Sequence, residues 1–110
     1  MGVNSRVELA QAEAELQMRR NRALMADGVT MLHPESIRVA PGCVVGRDCV
    51  LHGGVSIEGE SVLGAGCVIE QGVVLRDCIL GDEVRVGANS VMFDRRIGDH
   101  LEIDPLSRLV

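Results

Sequence analysis

Four cysteines, Cys43, Cys49, Cys67 and Cys78, and three histidines, His33, His52 and His100, are the side chains best suited to metal or nucleophile chemistry. A zinc site or a redox pair needs thiols a few residues apart, so that two sulfurs converge from one turn of chain. Here the cysteines are spaced by 6, 18 and 11 residues and the histidines by 19 and 48, which matches neither pattern. The spacing predicts four buried, reduced thiols acting as small hydrophobes, and histidines that form no ligand set. All 11 basic residues are Arg, so Schiff-base and P-loop lysine chemistry is excluded.

Composition narrows the function classes further. The formal charge is −5 and the single aromatic residue is Phe93, which leaves neither a basic footprint for nucleic acid nor rings on which bases could stack. No run of 18 apolar residues is present, and Met1-Gly2-Val3-Asn4 lacks a basic segment followed by an apolar one. The expectation is a soluble, cytoplasmic protein with no nucleic-acid or membrane partner. A 110-residue chain that is 46% hydrophobic without aromatic bulk must build its core from Val, Leu, Ile, Met and Cys in a repeating register.

Residues 5–26 read as one helix, opened by the capping box Ser5-x-x-Glu8 and stopped by Asp27-Gly28. Val7, Ala10, Ala14, Met18 and Met25 form one narrow apolar stripe; Leu9, Ala12, Leu16 and Ala23 form a second, roughly opposite. Two stripes predict two packing partners, as in a helix connecting two modules. Met31-Leu32-His33-Pro34 then reads as a short extended lead-in, because the residue before proline avoids the helical region.

From Val39 onward aliphatic residues recur every six positions, through Val45, Leu51, Ile57, Leu63, Ile69 and Leu75. Two five-residue steps shift the frame, which continues as Leu80, Val86 and Met92, then Ile97, Ile103 and Leu109. Two residues earlier runs a second series of small or β-branched residues that includes all four cysteines: Ile37, Cys43, Cys49, Val55, Ser61, Cys67, Val73, Cys78, Val84 and Ser90. Six-residue periodicity with two inward positions predicts a three-sided parallel β-helix of about 18 residues per coil and about four coils. Cys49 and Cys67 then stack one coil apart. The residues preceding the inward aliphatics, Val44, Val50, Val62, Val68, Val74, Ile79 and Val91, point outward on flat faces. The frame is weakest at Met92–Ile97, where the inward slot falls on Arg95; an unpaired buried Arg is costly, so the charge is expected to swing outward.

Gly2-Val3-Asn4-Ser5-Arg6-Val7-Glu8-Leu9-Ala10, the Ala/Glu/Arg-rich helix, Gly28-Val29-Thr30 and the hexapeptide repeats together resemble the middle of a bacterial bifunctional enzyme family. That family is the N-acetylglucosamine-1-phosphate uridylyltransferase/glucosamine-1-phosphate acetyltransferase of UDP-N-acetylglucosamine and cell-wall (peptidoglycan) biosynthesis. The resemblance implies a mainly β fold, a left-handed parallel β-helix over residues 30–110 behind a linker helix over residues 1–29, and a homotrimer. It also implies that Asn4 matches an asparagine that helps hold Mg²⁺ and the nucleotide sugar, and that Mg²⁺ and acetyl-coenzyme A belong to the full-length family. Ile103-Asp104-Pro105-Leu106-Ser107-Arg108-Leu109 resembles the segment before a sugar-phosphate-binding arginine, with Val110 in that arginine's place; Arg108 is one position short. The implied catalytic histidine, lysines and coenzyme A coils match nothing in this sequence, so no catalytic residue is assigned. Competing readings are a small stand-alone hexapeptide acyltransferase using His52 or His100 as base, a non-catalytic trimerisation or scaffold module, and a β-helix-tailed nucleotidyltransferase acting on other sugar phosphates.

Overall fold

A computed structural model describes residues 5–110. The helix α1 spans Ser5–Ala26 and ends at Gly28, whose φ of 102° reverses the chain at little steric cost. Fourteen strands of two or three residues follow and stack as three parallel sheets, the faces of a left-handed solenoid. The first face holds β1 (Thr30–Met31), β4 (Val50–Leu51), β7 (Val68–Ile69), β10 (Arg85–Val86) and β13 (Glu102–Ile103). The second holds β2 (Arg38–Val39), β5 (Ser56–Glu58), β8 (Val74–Arg76), β11 (Val91–Phe93) and β14 (Arg108–Leu109). The third holds β3 (Val44–Val45), β6 (Val62–Leu63), β9 (Ile79–Leu80) and β12 (Arg96–Ile97).

Faces of five, five and four strands make nearly five coils, one more than the period predicts. The difference lies in the lead-in: Thr30–Met31 already pairs with Val50–Leu51, and a 3₁₀ turn at Pro34–Ser36 carries the chain to β2. The first coil takes 20 residues (Thr30↔Val50) and the next ones 18, as in Val50↔Val68, whereas the five-residue steps shorten later ones to 17, as in Val68↔Arg85 and Val91↔Arg108.

Both inward series form the core. Ile37, Cys49, Val55, Cys67, Val73, Cys78 and Val84 are fully buried beside Leu51, Ile57, Ile69, Leu75, Val86 and Met92. Cys43 and Val45 are only half-buried, because β3 is the top strand of the third sheet and no coil covers it. Arg95 is exposed, as its charge demands, and reaches the carbonyls of Leu109 (3.4 Å) and Val110 (3.2 Å).

Each corner stacks residues with left-handed backbone. Gly54, Gly72, Asn89 and Leu106 follow one another at the first corner, Gly59, Asp77 and Asp94 at the second, and Asp48, Gly66, Glu83 and His100 at the third. Gly, Asn, Asp and His are the residues that tolerate this region best, which is why corners can recur without long loops.

The helix departs from expectation. It packs through its last turns: Asn21 is fully buried and Leu24 and Met25 lie against the core, whereas every residue from Ser5 to Leu16 is exposed. Neither apolar stripe docks along its length, because α1 leaves the solenoid at its first coil.

Candidate functional site

The sequence-predicted site residue Asn4 lies outside the described residues. The remaining candidates are dispersed by the coil geometry. His33 sits at the top of the first corner, 3.8 Å from Glu35. His52 is half-buried on the outside of the first face, one coil above Glu70, rather than fully solvent-facing. His100 occupies the third corner, with Nδ1 2.8 Å from the Glu83 carboxylate directly above it.

The His100–Glu83 pair borders a shallow cleft of about 380 Å³ that also includes Asp48, Ala65, Gly66 and Asp82. A carboxylate that orients an imidazole is half of a general-base arrangement. Both side chains here are more than three-fifths exposed, so the pair is held only loosely. A separation of 17 residues, one short coil, is the signal that could have found it.

A larger cleft, about 440 Å³, opens where α1 leaves the solenoid, between the Ala10–Ala14–Met18 face of the helix and Glu35, Ile37 and Arg38. Its polar groups are mixed: Glu13 and Glu35 oppose Arg20 and Arg38, and Arg20 is engaged on the carbonyl of Val39 at 2.9 Å.

The cysteines serve the core. Cys49 donates to the carbonyl of Gly64 (3.0 Å), Cys67 to that of Gly81 (3.2 Å), Cys78 to that of Met92 (3.3 Å) and Cys43 to that of Gly59 (3.4 Å). Ser61 and Ser90, in the same inward column, bond the carbonyls of Glu58 and Asp104. Each of these small side chains pairs a backbone carbonyl, whereas Ile37, Val55, Val73 and Val84 fill the other places of the column without a donor. Contact with the Cys67 thiol, and then burial, push the Cys49 thiol up; burial raises Cys43. Neither is poised as a nucleophile.

Corner carboxylates also turn out to be structural. Asp77 accepts from the backbone N–H of Glu60 (2.9 Å), Asp82 from that of Ala65 (2.9 Å) and Asp99 from that of Asp82 (2.7 Å). On the second face Arg76 donates to Glu58 through both Nε (3.0 Å) and a terminal nitrogen (2.8 Å) and stacks over Phe93 at 4.5 Å. The Arg76 hydrogen bonds, helped by Ser56, hold the Glu58 carboxyl below its usual range. Sequence reasoning missed this column because it lies on the outward positions, where the hexad has no signature.

The family resemblance implies two groups, a metal ion and acetyl-coenzyme A. A hard octahedral cation needs several oxygens on one point; among the described residues no three His, Cys, Asp or Glu side chains gather in that way. The phosphates of acetyl-coenzyme A need uncompensated cations, whereas one cleft is acidic and the other balances each Arg with a Glu. Neither cleft fits acetyl-coenzyme A, and the described residues gather no ligand set for the metal.

No helix among the described residues is long and apolar enough to cross a membrane. No family model matches the chain. It is 39% identical over 109 residues to the bifunctional protein GlmU of Geotalea uraniireducens, 40% over 109 to that of Pelobacter propionicus and 42% over 109 to that of Heliobacterium modesticaldum. Each alignment covers 99% of this chain and 24% of the relative, so the chain spans about a quarter of the length of the proteins it matches. The aligned stretch takes in the helix, the turn and the coils of this chain, which is thus similar to the GlmU proteins over a segment of about a quarter of their length.

Proposed function

We propose that this chain is a segment, or a truncated relative, of the bifunctional transferase that makes UDP-N-acetylglucosamine by acetyl transfer to glucosamine-1-phosphate and then uridylyl transfer. In this reading it supplies the β-helix and the homotrimer assembly, acts in the cytoplasm in cell-wall precursor synthesis, and holds no complete active site. Mg²⁺, acetyl-coenzyme A and the nucleotide sugars belong to the whole protein, with Asn4 a contributor to the Mg²⁺ and sugar-nucleotide site. The observation that carries the reading is the alignment of 99% of the chain, helix included, with proteins named bifunctional. A hexapeptide solenoid alone would be common to many acyltransferases.

The His100–Glu83 contact favours a second reading, a stand-alone acyltransferase with His100 as base. The acidic surroundings, Asp48 and Asp82, would repel a phosphate-bearing acyl donor, which ranks this reading lower. Both are tested by incubating the purified chain with acetyl-coenzyme A and glucosamine-1-phosphate, and separately with UTP, Mg²⁺ and N-acetylglucosamine-1-phosphate. The segment reading expects no turnover above a buffer control; acetyl transfer abolished by His100→Ala would establish the second reading instead.

A further inference from the structure

The inward cysteines divide between two columns. Cys43 and Cys78 belong to the third face, with Ser61 between them, and their sulfurs reach the carbonyls of Gly59 and Arg76 beside the second corner, each at 3.4 Å. Cys49 and Cys67 belong to the first face, with nothing between them: Val50 pairs with Val68, and the Val50 N–H donates to the Cys67 carbonyl at 2.8 Å. Their sulfurs turn the same way, toward the carbonyls of Gly64 and Gly81, which stack on one another beside the third corner. The two thiols touch, both are reduced, and both residues are fully buried.

Neighbouring strands lie about 4.8 Å apart, which sets two in-register Cα atoms inside the range of roughly 4.4–6.8 Å that a disulfide spans. The parallel course of the two strands carries the Cβ atoms inward at nearly the same spacing, somewhat beyond the disulfide mean of about 3.8 Å. Closing the bond therefore asks the two coils to pinch together by about 1 Å or less, which strains the link and makes it easy to reduce. No other pair shares this geometry. Cys43 and Cys78 stand two coils, about 9.6 Å, apart, and every remaining combination mixes the two columns, whose sulfurs turn to different corners.

We propose that Cys49 and Cys67 form an oxidant-sensitive staple between the coil of β4 and the coil of β7. The oxidant is a hydroperoxide, small enough to enter where a bulkier thiol reagent is held out until the chain unfolds. One thiol takes up an oxygen as the O–O bond of the peroxide breaks, which leaves a sulfenic acid and one water. The second thiol then displaces that oxygen as a second water, and the S–S bond forms. Two thiols are oxidised and one peroxide is reduced to two waters. The link closes one coil into a ring, so that this coil no longer unwinds with its neighbours, and a thiol reductant reopens it.

The test exposes the native chain to hydrogen peroxide, unfolds it in iodoacetamide and maps its peptides by mass spectrometry. The expected product is a chain lighter by two hydrogens and linked Cys49–Cys67, with its far-UV circular dichroism retained and all four thiols restored by reduced glutathione. Cys49→Ser and Cys67→Ser should each abolish the link, and Cys43→Ser and Cys78→Ser should leave it; serine already fills this kind of inward place at Ser61 and Ser90, so these variants keep the fold. Amide exchange between Cys49 and Cys67 should slow severalfold in the linked chain. Recovery of all four thiols, sulfinic acid on single cysteines without a link, a link in any other pair or between two copies, or a link that forms only with loss of the circular dichroism overturns the proposal. A link that reduced glutathione leaves intact, or that leaves amide exchange unchanged, overturns the reversible staple.

Discussion

The side-chain amide of Asn21 donates to the carbonyl oxygen of Ile37 at 3.0 Å, in a site without solvent, and also to that of Pro34 at 2.9 Å. Gln17 completes the arrangement by donating to the Asn21 oxygen at 2.9 Å. Here the top edge of the second sheet, with no coil above it, is closed by a helix side chain.

Asn21→Leu is therefore expected to cost about 1–3 kcal/mol, since it leaves the buried Ile37 carbonyl unpaired, while the Pro34 carbonyl keeps the N–H of Ile37. Asn21→Asp should cost more near pH 7, because it sets an anion against two carbonyl oxygens. That arrangement raises the carboxyl's folded-state pKa, so part of the loss should return as pH falls through it. Urea denaturation of both variants across pH measures the difference; equal, pH-independent losses would contradict the hydrogen-bonding role.

The corner glycines are expected to separate into two classes. A Cβ on Gly64 would lie 2.6 Å from the carbonyl oxygen of Gly81 and also strike Asp82, whereas one on Gly98 meets nothing nearer than Leu101 at 3.8 Å. Gly64→Ala should destabilise by about 1–3 kcal/mol through overpacking against backbone. Gly98→Ala should be neutral or stabilise by up to about 1 kcal/mol by narrowing the unfolded ensemble. Thermal melts of the two single variants decide whether close stacking, rather than turn formation, explains the glycine column.

Leu106 is the misfit of the first corner. It holds a left-handed φ of 61° where Gly54 and Gly72 stand in the coils above, and it is 77% exposed. Leu106→Asn removes most of a steric cost of about 1 kcal/mol and keeps the N–H that donates to the Ala88 carbonyl at 2.9 Å. A melting temperature raised by a few degrees is the expected readout; a fall would mean that the leucine makes a contact worth more than its strain.

Burial raises the Cys43 thiol above the ordinary value of 9.0, so the unfolded chain releases this proton more readily than the folded one. The stabilisation from holding it neutral is complete below pH about 9 and declines as pH climbs beyond it. Denaturant midpoints should fall as pH rises above about 9, and Cys43→Ser should shrink the slope. In native protein a thiol reagent should reach Cys43 first and Cys49, Cys67 and Cys78 only on unfolding.

The hexad made the inward residues legible because burial depends only on period: Leu51, Ile57, Ile69 and Cys67 follow from counting sixes, and even Arg95 was marked as the place where inwardness fails. What counting could not supply were relations between coils on the outside. The Glu58–Arg76–Phe93 column and the Asp82 bond to the Ala65 N–H require the coil length, which changes from 18 to 17 residues at the five-residue steps. Nor could an apolar stripe on α1 show which turns dock, because Asn21, a polar residue outside both stripes, is the one that is buried. The outward valines read as one set, yet the corners distribute them over three faces with different exposure.

The ladder of coils also determines how the chain can reach this state. Every strand bonds only to strands one coil away, so partners remain 17 or 18 residues apart from Val50↔Val68 to Val91↔Arg108. The entropy lost in closing each new loop is thus nearly constant and does not grow with total length. Such a structure assembles and frays like a one-dimensional zipper. Amide exchange should then be slowest in the middle coils around Ile69 and fastest beyond Arg95, a gradient along the axis rather than from surface to centre.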